Sequence, residues 1–166
     1  YYNALSGEEE EKRIVPLSWD QRHILNSSVS IGDPGNWNLG LISKLSSGWP
    51  YTPNIPDANY IPLSNSGRKP WQWRVDMRLH KNFKVGNFQY ILYAKVYNLL
   101  DRRNERYVFN DTGRSGYTFV SQSTQETKGF VDHYGESGVH TWSEYQVRPQ
   151  YYTAPRSINI GFSLDF

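Results

Sequence analysis

Four side chains at every second position, Arg74, Asp76, Arg78 and His80, put two guanidiniums, a carboxylate and an imidazole on one side of an extended segment. Such a row can form ion pairs between neighbours of opposite sign, or touch a polar ligand moving past it. A second group, Asp132, His133, Glu136 and His140, is close together in sequence, but its spacing fits no standard zinc pattern. Trp49 and Tyr51 offer ring faces that would either stack on a ligand or pack within their own loop. No GxSxG, HExxH or phosphate-binding loop occurs. The reading is of contact and binding rather than catalysis: no enzyme activity, metal or cofactor is expected.

The Arg74 row lies in the stretch Trp71–Phe83, WQWRVDMRLHKNF. Trp71, Trp73, Val75, Met77 and Leu79 share one parity, and Gln72, Arg74, Asp76, Arg78 and His80 share the other. A strict period of two places successive side chains on opposite faces of a β-sheet. Similar alternation recurs along the chain. Leu25, Val29 and Ile31 oppose Arg22, Asn26, Ser28 and Ser30, with Ile24 as an exception. Trp37, Leu39, Leu41 and Leu45 oppose Asn38, Gly40, Lys44 and Ser46. Phe88, Tyr90, Leu92, Ala94 and Val96 oppose Gln89, Ile91, Tyr93, Lys95 and Tyr97. Finally, Ile158, Ile160, Phe162, Leu164 and Phe166 oppose Ser157, Asn159, Gly161, Ser163 and Asp165. Strands are therefore predicted near 19–31, 37–47, 70–83, 87–99 and 155–166.

The connections alternate as well. Turns at 32–36 and 84–87 are brief and rich in Gly and Asn, whereas 1–18, 48–69 and 100–153 are long and irregular. Short turns at one end and extended loops at the other are the habit of up-and-down hairpins in outer-membrane barrels. Trp37, Phe83, Phe88 and Phe166 would then ring one end of an aliphatic belt, and Trp71 and Trp73 the other. Each predicted strand has the roughly 9–11 residues that a tilted strand needs to cross a bilayer, and no lysine or arginine is expected on its apolar parity.

Composition narrows the classes. The chain has 166 residues, a length suited to one domain, and its net charge of +2 without a dense basic patch argues against nucleic acid as partner. No run reaches the roughly 18 apolar residues of a membrane helix, so any membrane crossing must use strands. Aromatics make up 16% of the chain, a share that suits both strands and the lipid–water boundary. The absence of cysteine excludes disulfide staples and thiolate metal sites. The chain opens at Tyr1 with no methionine, signal or targeting segment, as a piece of a longer precursor would.

Four stretches together, PLSWDQRH (16–23), SGWPYTP (47–53), VYNLLDRRN (96–104) followed by Thr112-Gly113, and the closing PRSINIGFSLDF (155–166), resemble the C-terminal end of TonB-dependent outer-membrane receptors. The resemblance implies an all-β fold: about five antiparallel up-and-down strands of a larger transmembrane barrel, 22-stranded in that family, with long outer loops. It further implies a Gram-negative outer-membrane location and active uptake of a small ligand such as a siderophore, cobalamin, sugar or peptide. The partners it implies are outer-membrane lipid, the remaining barrel strands and plug of the same receptor, TonB acting through an N-terminal part outside this chain, and the barrel-assembly machinery, for which Phe166 would be part of the signal. Arg74, Asp76, Arg78 and His80 would face the lumen, there to pair with each other, the plug or a ligand. Barrels close at eight strands or more, so five would leave two edges for strands outside this chain. Two rivals stand beside this reading. One is an outer-membrane porin or adhesin without TonB coupling. The other is a soluble carbohydrate-binding β-sandwich using Trp49, Tyr51 and Trp142, which needs a second sheet over the apolar parity.

Overall fold

Alternation in the sequence becomes one antiparallel sheet. The structure, a computed structural model, describes residues 13–33, 35–54, 62–119 and 141–165. Its main strands are β1 (Ile24–Asp33), β2 (Trp37–Ser46), β5 (Gln72–Val85), β6 (Phe88–Tyr97) and β7 (Ser157–Asp165), paired in the order β1-β2-β5-β6-β7. A two-stranded ladder, β3 (Pro50–Tyr51) with β4 (Gly67–Arg68), sits in the connection between β2 and β5. Among the described residues the chain is thus all-β apart from a five-residue helix, α1 (Trp142–Gln146), and a 3-10 turn at Pro149–Tyr151. No helix among the described residues is long and apolar enough to cross a membrane.

Register puts like against like. Leu25 faces Leu45, which faces Trp73; Ile31 faces Leu39, then Leu79, then Ala94, then Ile160. Such cross-strand neighbours are the unit of sheet stabilisation. One face therefore carries an aliphatic field across all five strands, and the other carries most of the charges.

Among the described residues no second layer covers the apolar face. The main contacts between elements are between hydrogen-bonded neighbours, and Val96 is the sole buried hydrophobic residue described. Ile160 is 73% exposed and Phe162 78%; Leu79 and Leu92 are exposed as well, and Val75 is half-exposed. A water-soluble domain of this size buries most of its aliphatic side chains in a core. The second sheet that a β-sandwich requires does not occur among the described residues.

Three expectations need correction. β1 begins at Ile24 rather than Trp19, because the Asp20 amide bonds to the Leu17 carbonyl and closes a turn there. β5 continues two residues past Phe83, to Val85. The apolar parity of β5 also includes a cation, Lys81, opposite Trp37 and Leu92. Its ammonium reaches the Asn36 side chain in the turn between β1 and β2, so the charge snorkels to the edge of the aliphatic belt. The sheet is open: β1 and β7 are its edges, and neither has an outer partner among the described residues.

Candidate functional site

The polar face of β5 is where the sequence concentrates chemistry. Arg74 and Asp76, two residues apart on one face, form a two-pronged pair: Arg74 Nε lies 2.8 Å from Asp76 Oδ1, and Nη2 lies 2.5 Å from Oδ2. Planar guanidinium and carboxylate match in this geometry. Asp76 Oδ1 also accepts the Asn98 backbone N–H at 2.9 Å. The pair therefore orients a carboxylate that anchors the segment leaving β6.

Arg78 and His80 are not drawn into that pair. Arg78 stands exposed between Gly40 and Lys95, and His80, half-buried, sits between Asn38 and Tyr93. Trp49 and Tyr51 lie away from this wall, at the loop end of the sheet. Lys69 Nζ lies 6.0 Å from the centroid of the Trp49 ring and donates to the Arg106 carbonyl at 2.9 Å. Burial there holds the Lys69 ammonium below its ordinary pKa. Tyr51 is wedged between two glycines. A Cβ on Gly67 would lie 2.5 Å from Tyr51 Cε1, and one on Gly113, whose φ is +68°, would lie 2.3 Å from its hydroxyl. Loop packing is thus the observed role of Tyr51. Phe166 lies outside the described residues, as do Asp132, His133, Glu136 and His140.

The conspicuous motifs turn out to be fasteners at the loop end. In VYNLLDRRN, Asn98 takes a left-handed φ of 54°, and its side-chain amide donates to the Arg102 and Ala154 carbonyls at 3.1 and 3.0 Å. Asp101, also left-handed, accepts the Arg156 N–H at 2.8 Å. Buried Asn104 acts as an extra peptide group for β5: its Oδ1 accepts the Trp73 N–H and its Nδ2 donates to the Trp73 carbonyl, each at 2.9 Å. The segment from 96 to 104 thereby ties β5, β6 and the approach to β7 together.

The other stretches do similar work. In PLSWDQRH, the Asp20 carboxylate pairs with Arg68, which holds its pKa below the usual range, and the Pro16 carbonyl accepts from Asn65 Nδ2 at 2.8 Å. In SGWPYTP, Ser47 is buried; its Oγ accepts the His23 N–H at 3.2 Å, and its own N–H donates to the His23 carbonyl. Gly48 passes so close to Lys69 that a Cβ would sit 1.8 Å from that residue's carbonyl oxygen. Farther out, Glu105 accepts from Arg114 and from the Ser115 N–H, and this pairing raises the Arg114 pKa. A cavity of about 450 Å³ opens beside it, with Arg103, Ser115, Arg148 and Tyr152 in its lining.

The sequence reading missed Asn98, Asn104 and Ser115 as organising residues. Asn and Asp in positive-φ turns are a recognised signal, and NLLDRRN carries it. The helix α1 was legible too: Thr141 and Glu144 form a reciprocal capping box, the side chain of each serving the other's backbone N–H.

No family model, curated protein or solved structure matches the chain.

Proposed function

We propose that this chain is the C-terminal β-barrel portion of a TonB-dependent receptor, resident in the outer membrane and engaged in active uptake of a small ligand. The observation that carries the reading is the aliphatic face: it extends in register over five strands and meets no protein layer among the described residues, while charge lies on the opposite face apart from Asp33 and Lys81 near the turn end. Lipid is the solvent that suits the first face, and a lumen with water or a plug suits the second. Lipid cannot satisfy the backbone groups at the outer edges of β1 and β7, so further strands of the same barrel pair there. The four motifs named above, three at the loop end and the fourth along β7, fit the resemblance to the receptor family. The loop cavity near Arg103 and Arg148 is placed for capture from outside, the wall of Arg74 to His80 for passage or plug contact.

Membrane fractionation of the full-length protein tests this reading. It predicts an outer-membrane fraction that resists urea extraction and migrates faster unheated than heated on a gel. A monodisperse, detergent-free soluble protein would refute it. A barrel lacking TonB coupling is separated by an uptake assay with and without TonB: uptake that persists without TonB selects the porin-like alternative.

A further inference from the structure

On the polar face, cations meet cations. Register sets Lys44 directly opposite Arg74 and Arg78 directly opposite Lys95. Like charges in that relation destabilise a sheet, so pairing within the sheet does not account for them. Asp76, between the two pairs, is already held by Arg74. Among the described residues, Lys44, Arg78 and Lys95 form no salt bridge, and all three are exposed.

The row through Arg78 reads Ser30, Gly40, Arg78, Lys95, Asn159 across all five strands, without a carboxylate. Gly40, opposite Arg78, carries no side chain, and a Cβ there would meet nothing nearer than the Arg78 carbonyl oxygen, at 3.9 Å. On the other side, Lys95 Nζ lies 5.6 Å from the centroid of the Tyr93 ring. That ring in turn lies over Gly161, where a Cβ would come within 2.4 Å of it. One cation is thus steadied by an aromatic, and its neighbour is flanked by space.

We propose that the Arg78–Lys95 row is an oxyanion site for a small molecule bearing carboxylate or phosphate groups. The Arg78 guanidinium grips two oxygens while the Lys95 ammonium adds a point charge. Lys44, about 13 Å away along the strand, adds a further cation, while Arg74 opposite it is taken up by Asp76. A wall on which cations predominate, backed by low dielectric, concentrates such anions along its length. This inference rests on the reading that the polar face lines a passage, and it names the class of molecule that the passage favours.

Isothermal titration of citrate, and separately of inorganic phosphate, into the full-length protein in detergent provides the test, with ionic strength held constant by chloride. Saturable binding of at least one is expected, weakened tenfold or more in R78Q/K95Q and unchanged in K84Q, whose site lies near the turn end. The two titrants separate carboxylate from phosphate preference. No binding by either, or equal binding by R78Q/K95Q, overturns the proposal. An acidic polypeptide segment seated permanently on the row would instead lower the urea midpoint of R78Q/K95Q and leave the wild type unresponsive to both anions, which also overturns it. Heat-modifiable migration of the same samples reports the barrel independently, so a failed site is distinguishable from a failed fold reading.

Discussion

The two faces of the sheet share one hydrogen-bonded backbone and find their partners differently. On the apolar face, among the described residues, side chains chiefly meet one another across strands, and their outer surfaces, Ile160 and Phe162 foremost, are left to whatever solvent adjoins them. On the polar face, and at the loop end that continues it, partners are specific: a guanidinium fork for Asp76, a peptide-like amide for Trp73, a serine hydroxyl for the His23 amide. The first arrangement tolerates exchange of one aliphatic residue for another and fails on charge. The second tolerates charge and fails when one acceptor is removed.

The sharpest way to break this contrast is to move a lysine by one residue. Phe162→Lys is expected to cost about 2–4 kcal/mol, the depth-dependent penalty for a cation on a lipid face, whereas Ser163→Lys on the polar face, opposite Ile91, changes stability little. Urea unfolding in lipid vesicles compares them, and equal losses would erase the distinction between the faces. Next in size is Asn104→Ala, which strips the Trp73 N–H and carbonyl of their partners and is expected to cost about 1–3 kcal/mol. Hydrogen exchange at the Trp73 amide should accelerate in that variant before exchange in the middle of β5 does.

Smaller still is Arg74→Leu. The Arg74 side chain is 56% exposed, and pairs so open to solvent contribute about 0–1 kcal/mol. Barrel assembly should survive while uptake or plug seating changes; lost insertion with normal uptake by the remaining molecules would reverse that assignment. Asp76→Ala is expected to exceed it, since the buried Asn98 N–H loses its acceptor. The smallest effect concerns Asp20. Its carboxyl is held low by Arg68, so the contribution of the clasp is present above the ordinary carboxylate pKa of about 3.9 and fades as pH falls below it. Proteolytic protection of the 62–69 segment should therefore drop below about pH 4 in the wild type and be pH-independent in Asp20→Asn.

The strands were legible because parity is a property of single residues, and Trp71–Leu79 displays it without interruption. What parity does not encode is which strands are neighbours, and the fasteners depend on that. Asn104 matters only because β6 lies beside β5, and Ser47 only because β2 returns past His23. Trp19 extended the predicted first strand although a turn at 17–20 and the tie from Asp20 to Arg68 end the pattern sooner. Lys81 falls on the apolar parity and is reconciled only by its reach to Asn36 across the turn. Of the residues singled out for chemistry, Arg74 and Asp76 proved to be partners, Arg78 and His80 remained separate, and Tyr51 became packing against Gly67 and Gly113.

The chain contains no cysteine, so in a full-length protein freed of cysteines elsewhere, single cysteines introduced along β6 and β7 report their surroundings without interference. Spin labels at Leu92 and Ile160, against labels at Lys95 and Asn159, measured in the full-length protein in bilayers, test most directly whether lipid covers the aliphatic face. High collision rates with oxygen and low rates with a water-soluble nickel complex are expected at 92 and 160, and the reverse at 95 and 159. Equal nickel accessibility at all four positions, or protection of 92 and 160 from both reagents by a packed protein layer, would contradict the account.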